Sequence, residues 1–324
     1  MLVADSGTLY SYSANQDNWI PRGNYLSVDL QRESIAQATP ASGYNDSVIL
    51  NNYAMYAWST DGEPTVVGGT YTSQAWIQVV DLTTGTKAFS GVGFTLGLNV
   101  STVVPVRCFI VNNKMAVAYE DTATGFIKMR LVSVISGVVT VDPTTYVLNS
   151  FSVLYPASPH VAQAWDVAAQ GNDVYVLYRA NVGGTNKMVL DRRNSSNNFA
   201  TVLATQVSAL TPDAQRVLLC IDSNTQRVFA YYTDNGVIYR IYYAVYSQDL
   251  LTTIVAPSPV VTIAAPKIVT NLSAVTTSSG NQTLYFGIFT PTSSIPTYTD
   301  QTRNVTVNDS GSVGTDALFY NGVM

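Results

Sequence analysis

The feature that most constrains this chain is a repeat. Five apolar runs end on an aromatic side chain and are followed by turn-forming residues: NNYAMYAW before STDG, NKMAVAY before EDTATG, NDVYVLY before RANVGG, QRVFAYY before TDNG, and QTLYFGIF before TPTSS. Their closing aromatics, Trp58, Tyr119, Tyr178, Tyr232 and Phe289, are separated by 61, 59, 54 and 57 residues. A nearly fixed period of this kind marks one supersecondary unit used repeatedly, which limits the fold to architectures made by stacking such units.

The unit reads as four strands. In RCFIVNNKMAVAYEDTATGFIKMRLVSVISGVVTVD the segments Arg107–Val111, Met115–Tyr119, Phe126–Val132 and Val138–Val141 are separated by Asn112-Asn113, the 121–125 cluster and Ser136-Gly137, all hairpin chemistry. RVLLCIDSNTQRVFAYYTDNGVIYRIYYAVYSQDLL has the same organisation, with Asp234-Asn235-Gly236 as the sharpest turn signal. A four-stranded meander cannot bury both of its faces alone, and the radial stack that closes on itself is the β-propeller. The expectation is therefore an all-β chain, a single β-propeller domain over residues 1–324 with four-stranded antiparallel blades, five or six in number. A β-sandwich or jelly roll is the alternative.

The repeat is longer than the roughly 40–45 residues of WD-type blades, and neither a WD dipeptide nor an Asp-box occurs. Residues 1–35 read as a partial blade with strands around Leu9–Tyr12 and Trp19–Pro21, placed to complete a blade begun at the C-terminus. Helix is expected to be scarce, the best short candidate lying at Pro212–Arg216.

Composition narrows the function. The chain is 47% hydrophobic and only 11% charged, against roughly 25% charged in ordinary globular chains, so polar surface must come from Ser, Thr, Asn, Gln and the 21 Tyr. A net charge of −5 with five Lys argues against specific nucleic-acid binding, which depends on cations neutralising phosphates. An acidic wall still lets DNA pass without sticking. Cys108 and Cys220 sit in apolar runs more than a hundred residues apart and read as buried free thiols. The opening MLVADSGTLYSYS turns polar at Asp5 and has no signal-peptide form, and no apolar run is long enough for a membrane span. The triplets at Asn99, Asn194 and Asn304 match the glycosylation pattern at a frequency expected of so Asn/Ser/Thr-rich a chain.

Residues suited to catalysis are few. His160, the single histidine, lies in YPASPHVAQAW without a nucleophile elbow, and no second His offers metal-ligand spacing. The glutamates are Glu33, Glu63 and Glu120; the Glu120-Asp121 pair could form half of a glycosidase site but reads as the opening of a solvated turn. Asp61, Asp81, Asp191 and Asp234 take similar inter-strand positions. GVGFTLG at 91–97 departs from phosphate-binding glycine spacing and reads as a blade connection, and Arg192-Arg193 as a solvated loop tip. Tyr239, Tyr242, Tyr243 and Tyr246 alternate irregularly, dividing between wedge filling and an interface or sugar-stacking role. No catalytic, cofactor-binding or metal-binding residue is assigned, and the chain is expected not to be an enzyme.

The opening LVADSGTLYSYSANQDNWIPRGNYLSVDLQRESIAQ, with the phrases YAWSTDG and VDLTTGTK, resembles the propeller region of tail proteins of short-tailed bacteriophages, the nozzle type in particular. The resemblance covers roughly the first 140 residues and continues weakly as blades. It implies a virion structural role: a homo-oligomeric ring in the tail of a podovirus, contacting other tail or portal-adaptor proteins and surrounding the channel used in DNA ejection. It also implies synthesis in the host cytoplasm and location in the virion. Nozzle proteins are usually longer, so the chain corresponds to a fragment, a reduced version or another virion protein sharing the propeller. A carbohydrate- or receptor-binding propeller that engages a host-surface glycan is the alternative.

Overall fold

A computed structural model describes residues 2–5, 8–13, 18–21, 45–60, 74–90, 93–98, 106–121, 123–155, 164–210, 212, 216–235, 239–263, 268–289 and 299–323. The architecture is an all-β propeller of four-stranded antiparallel blades, five of them among the described residues. Blade 1 comprises β4 (Asn45–Leu50), β5 (Tyr53–Thr60), β6 (Gln74–Asp81) and β7 (Phe94–Leu98). It follows a separate three-stranded sheet of β1 (Leu2–Asp5), β2 (Thr8–Ser13) and β3 (Asn18–Pro21). Blade 2 runs through β8 (Arg107–Val111), β9 (Lys114–Asp121), β10 (Phe126–Ile135) and β11 (Val138–Val141), and β12 (Tyr146–Val147) adds to β10.

Blade 3 holds β13 (Trp165–Gln170), β14 (Asp173–Val182), β15 (Thr185–Asn194) and β16 (Ala204–Val207). Blade 4 holds β17 (Val217–Asp222), β18 (Arg227–Asn235), β19 (Tyr239–Ser247) and β20 (Thr253–Ile263). Blade 5 holds β21 (Ile268–Ser278), β22 (Asn281–Phe289), β23 (Thr299–Asn308) and β24 (Ala317–Val323). The chain divides into two compact units, residues 1–123 with 130–145 and residues 124–129 with 146–324, the division falling within β10.

The repeat is one of register as well as spacing. Each marker aromatic lies on the second strand of its blade, and Trp58, Tyr178, Tyr232 and Phe289 pair with the first residue of the preceding strand, Asn45, Trp165, Val217 and Ile268. Arg107 pairs with Ala118, which puts Tyr119 one step beyond the start of β8. The hairpins have the anticipated chemistry: Asn112 and Asn113 take φ of 49° and 54°, and Ser136 and Gly137 take 50° and 79°, the left-handed pair that a two-residue hairpin requires. The N-terminal strands do not complete the last blade, because that blade draws all four of its strands from residues 268–323. Residues 213–215 of the helical candidate lie outside the described residues, and the one helical turn described is a 3-10 turn at Ser195–Asn197.

In unit 1 a core forms between blades 1 and 2 from Met55, Ala57, Ile77 and Val79 against Met115, Val117, Tyr119 and Val132. Unit 2 contains two such wedges. β18 serves both: Val228, Ala230 and Tyr232 pack with Tyr175, Leu177 and Leu190 of blade 3, while Phe229 and Tyr231 pack with Leu284, Phe286 and Ile288 of blade 5. Side chains alternate across a strand, so a strand buried on both faces reads as a continuous apolar run, here VFAYY. The tyrosines of β19 follow the same rule instead of alternating irregularly. Ile241, Tyr243 and Val245 enter the blade 5 wedge; Tyr242, Ala244 and Tyr246 meet the blade 3 wedge. Each large side chain buried in this way contributes about 1.5–3 kcal/mol.

Candidate functional site

Most polar groups singled out in the sequence are consumed in structural roles. In unit 2, Asp191 is fully buried; its Oδ2 accepts the Tyr178 hydroxyl at 2.8 Å and Ser150 N–H at 2.8 Å, and its Oδ1 accepts the Thr205 hydroxyl. Burial, reinforced by the Asp191 charge, pushes the Tyr178 hydroxyl far above its ordinary pKa. A carboxylate engaged on both oxygens ties the 150–151 segment to blade 3 and keeps no lone pair aimed at solvent.

Arg192 and Arg193 do not form a loop tip. Both lie in β15, because the strand extends to Asn194 and the turn begins only at Ser195. Arg192 makes a two-pronged pair with Asp173, Nε to Oδ1 at 3.0 Å and Nη2 to Oδ2 at 3.1 Å, while Arg193 donates to the carbonyls of Leu148 and Phe199. Asn194 is likewise occupied: its Nδ2 donates to Asp173 at 2.7 Å and its Oδ1 accepts Ser196 N–H.

Glu120 does not open a solvated turn; it sits within β9 with 2% exposure, ahead of Asp121, the last residue of that strand, whose Oδ1 accepts Ala123 N–H. Asp81 performs the same capping task for Thr83 and Thr84, and these donors hold its carboxyl below the usual range. Asp234 belongs to β18. Within 91–97, residues 94–97 belong to strand β7. Glu33, Asp61, Glu63, Asn99 and His160 lie outside the described residues. Both cysteines are free thiols raised by burial, Cys220 to about 12. Among the described residues no group of three or more His, Cys, Asp or Glu could hold a metal, and no helix is long and apolar enough to cross a membrane.

The surface with unspent recognition chemistry is one face of blade 5. Leu272, Ala274, Leu284, Phe286, Val305 and Val307 point into the blade 4 wedge. The intervening residues form the opposite face in register: Ser273 pairs with Tyr285, Tyr285 with Asn304 and Asn304 with Ala317, while Val275 pairs with Thr283 and Thr283 with Thr306. A bulge between Thr302 and Arg303 leaves Phe319 as the extra residue on β24. Its ring, 63% exposed, meets Tyr285 edge-to-face with centroids 5.3 Å apart and planes at 77°. Two carboxylates of the blade are paired, Asp316 Oδ1 with Arg303 Nε at 2.9 Å and Asp309 with Arg227 of blade 4 at 3.9 Å. Beside the aromatic corner lie hydroxyl and amide groups, which donate and accept hydrogen bonds alike.

The signal for this face was present in QTRNVTVND, where Thr302, Asn304 and Thr306 alternate with Arg303, Val305 and Val307. The bulge that turns out Phe319 has no sequence signature of its own.

No protein-family model matches the chain, and no curated protein sequence does. Solved structures do. A putative 6-phosphogluconolactonase from Bacteroides uniformis aligns at a TM-score of 0.50 with 11% identity, over 98% of this chain and 78% of its own. An alpha-L-arabinanase from Penicillium chrysogenum aligns at 0.46 and 10% identity, over 87% and 94%. The endo-arabinase from Bacteroides thetaiotaomicron aligns at 0.45 and 11%, over 68% and 80%.

At these identities the likeness is one of fold. The expectation that the chain is not an enzyme is corrected: the fold is shared with a putative 6-phosphogluconolactonase, and the lack of a recognised motif in the sequence is no ground for excluding catalysis. None of the three is a bacteriophage tail protein, so the virion expectation gains no support from them.

Proposed function

We propose that this propeller engages carbohydrate, and that the Tyr285–Phe319 corner of blade 5 is where a sugar is held. The observation that carries the proposal is the Tyr285–Phe319 corner beside Ser273, Thr283, Thr302, Asn304 and Thr306. A sugar ring combines an apolar C–H face with a rim of hydroxyls. Aromatic rings cover the first, and short neutral polar side chains exchange hydrogen bonds with the second.

The test is binding of the whole chain to a broad panel of immobilised glycans, with Phe319→Ala and Asn304→Ala beside the natural sequence. Release of reducing ends is measured on the same panel, since enzymes share this architecture. Binding to a defined glycan that both substitutions weaken at least tenfold, with unchanged melting temperature, is the expected result. Binding to no glycan, or binding indifferent to both substitutions, would refute the assignment of this face.

A further inference from the structure

We infer that residues 146–154 are a clasp that divides a single strand, β10, between two cooperative units, so that each half of it opens with a different part of the chain. The boundary between the two compact units falls between Met129 and Arg130, inside that strand. Its second half pairs with β11: Val132 with Val141, Val134 with Val139 and Ile135 with Val138. Arg130 reinforces that side, donating Nε to the Thr145 hydroxyl at 3.0 Å and Nη1 to the Asp142 carbonyl at 3.2 Å. Val132, Val134, Val139 and Val141 pack with Met55, Ile77 and Val117, which commits this half to unit 1.

The first half pairs with the clasp instead. Lys128 and Met129 pair with Val147 and Tyr146, and the Leu148 N–H donates to the Ile127 carbonyl at 2.9 Å. Asn149, 2% exposed, uses its whole amide here: Oδ1 accepts the Ile127 N–H at 2.8 Å, and Nδ2 donates to the carbonyls of Phe151 at 2.7 Å and Gly125 at 3.4 Å. The Val153 N–H closes on the Gly125 carbonyl at 2.8 Å.

The other side of the clasp is fixed to blade 3. The Ser150 N–H donates to Asp191 Oδ2 at 2.8 Å, the Phe151 N–H to the Tyr178 hydroxyl at 3.2 Å and the Leu154 N–H to the Arg179 carbonyl at 2.8 Å. Arg193 Nε reaches the Leu148 carbonyl at 2.8 Å. Asn149, Asp191 and Arg193 are all buried, so breaking one of these bonds alone strands a polar group away from water. The clasp therefore opens as a group, and proteins open in such contiguous groups, each with its own free energy. Residues 124–129 share the opening of blade 3, and residues 132–141 share that of the unit 1 core.

The experiment is native-state hydrogen exchange of the whole chain, resolved to short segments, for the natural sequence and for Asn149→Ala. Ser152→Ala is the milder variant, because its side chain donates only to the Thr124 carbonyl at 3.1 Å and lies exposed. In the natural protein, amides of 126–129 and 146–154 are expected to exchange with those of β14 and β15, and amides of 132–135 with those of β5. Asn149→Ala should speed exchange of 124–129 and 146–154 at least tenfold and leave β5 unchanged, since it removes three hydrogen bonds from the clasp alone. Should Asn149→Ala fail to fold, Ser152→Ala is read in the same way, with a smaller acceleration confined to the same segments. Exchange of 126–135 as one group in the natural protein would overturn the inference, and so would a variant that speeds both units equally or neither.

Discussion

Asp166 accepts the backbone N–H of Leu219 through Oδ2 at 2.8 Å, joining the first strand of blade 3 to the first strand of blade 4. Asp46 makes the same contact with the N–H of Cys108, also at 2.8 Å, between blades 1 and 2. Both aspartates are the second residue of their strand, so the repeat carries its latch at a fixed register. An inner strand has no sheet neighbour on its free edge, and a carboxylate from the adjacent blade satisfies one of its N–H groups. Asp166→Ala is expected to leave the Leu219 N–H buried without an acceptor and to lower unfolding free energy by about 1–3 kcal/mol. Asp166→Asn keeps an acceptor oxygen and should lose less. Urea denaturation of the two variants checks the ranking; equal losses would mean that the charge, not the accepted bond, matters.

The blade unit was legible because its signals are local. Marker spacing, Asn112-Asn113 and Ser136-Gly137 depend on a few neighbouring residues, and the register of Trp58, Tyr178, Tyr232 and Phe289 follows from them. Placement of Arg192 and Arg193 was not legible, because the acceptors that draw them into a strand, Asp173, Leu148 and Phe199, come from three separate stretches of chain. The same holds for the candidate site. Its polar alternation lies in one strand, but the pairing of Tyr285 with Phe319 depends on a bulge that tertiary packing selects.

Asp222 at the end of β17 supplies an acid-sensitive latch between blades 4 and 5. Burial raises its carboxyl, but the N–H groups of Gly280 and Asn224 and the Thr225 hydroxyl outweigh that and hold it below its ordinary value. A carboxylate depressed in the folded state stabilises it at every pH above the unfolded value, and that contribution is lost as pH falls through the folded one. The natural sequence should therefore lose stability on acidification below about pH 4, and Asp222→Asn should be less stable at neutral pH with a flatter profile below it. Melting temperature followed from neutral pH to pH 3 gives the answer: parallel curves for the two proteins would place the acid sensitivity elsewhere.

Both thiols should resist modification while the protein is folded. Burial pushes Cys220 up to about 12, with the Asp166 charge adding to it, so the reactive thiolate is scarce at neutral pH. Cys108 is raised in the same direction by burial and by Asp46. Ellman's reagent at pH 8 should label neither cysteine rapidly in buffer and both in concentrated urea. Fast labelling of one thiol under native conditions would show that its blade opens locally.

Gly280 joins two constraints that a double substitution can separate. Its φ of +75° is a conformation that a side chain strains, and a Cβ built there would lie 2.9 Å from the Asp309 carboxylate. Gly280→Ala should therefore destabilise the protein through backbone strain of about 1–2 kcal/mol and through displacement of Asp309 from Arg227. The Asp222 bond should also loosen, since it is made by the N–H of this same residue. Asp309→Ala alone removes only a half-buried pair held at 3.9 Å, beyond hydrogen-bond distance, and should change stability little. Combined with Gly280→Ala, it should recover the part of the loss that comes from crowding and leave the part that comes from φ. Denaturation of the four proteins in the cycle measures the split. A double variant no more stable than Gly280→Ala would mean that the backbone conformation accounts for the whole effect and that the carboxylate moves aside freely.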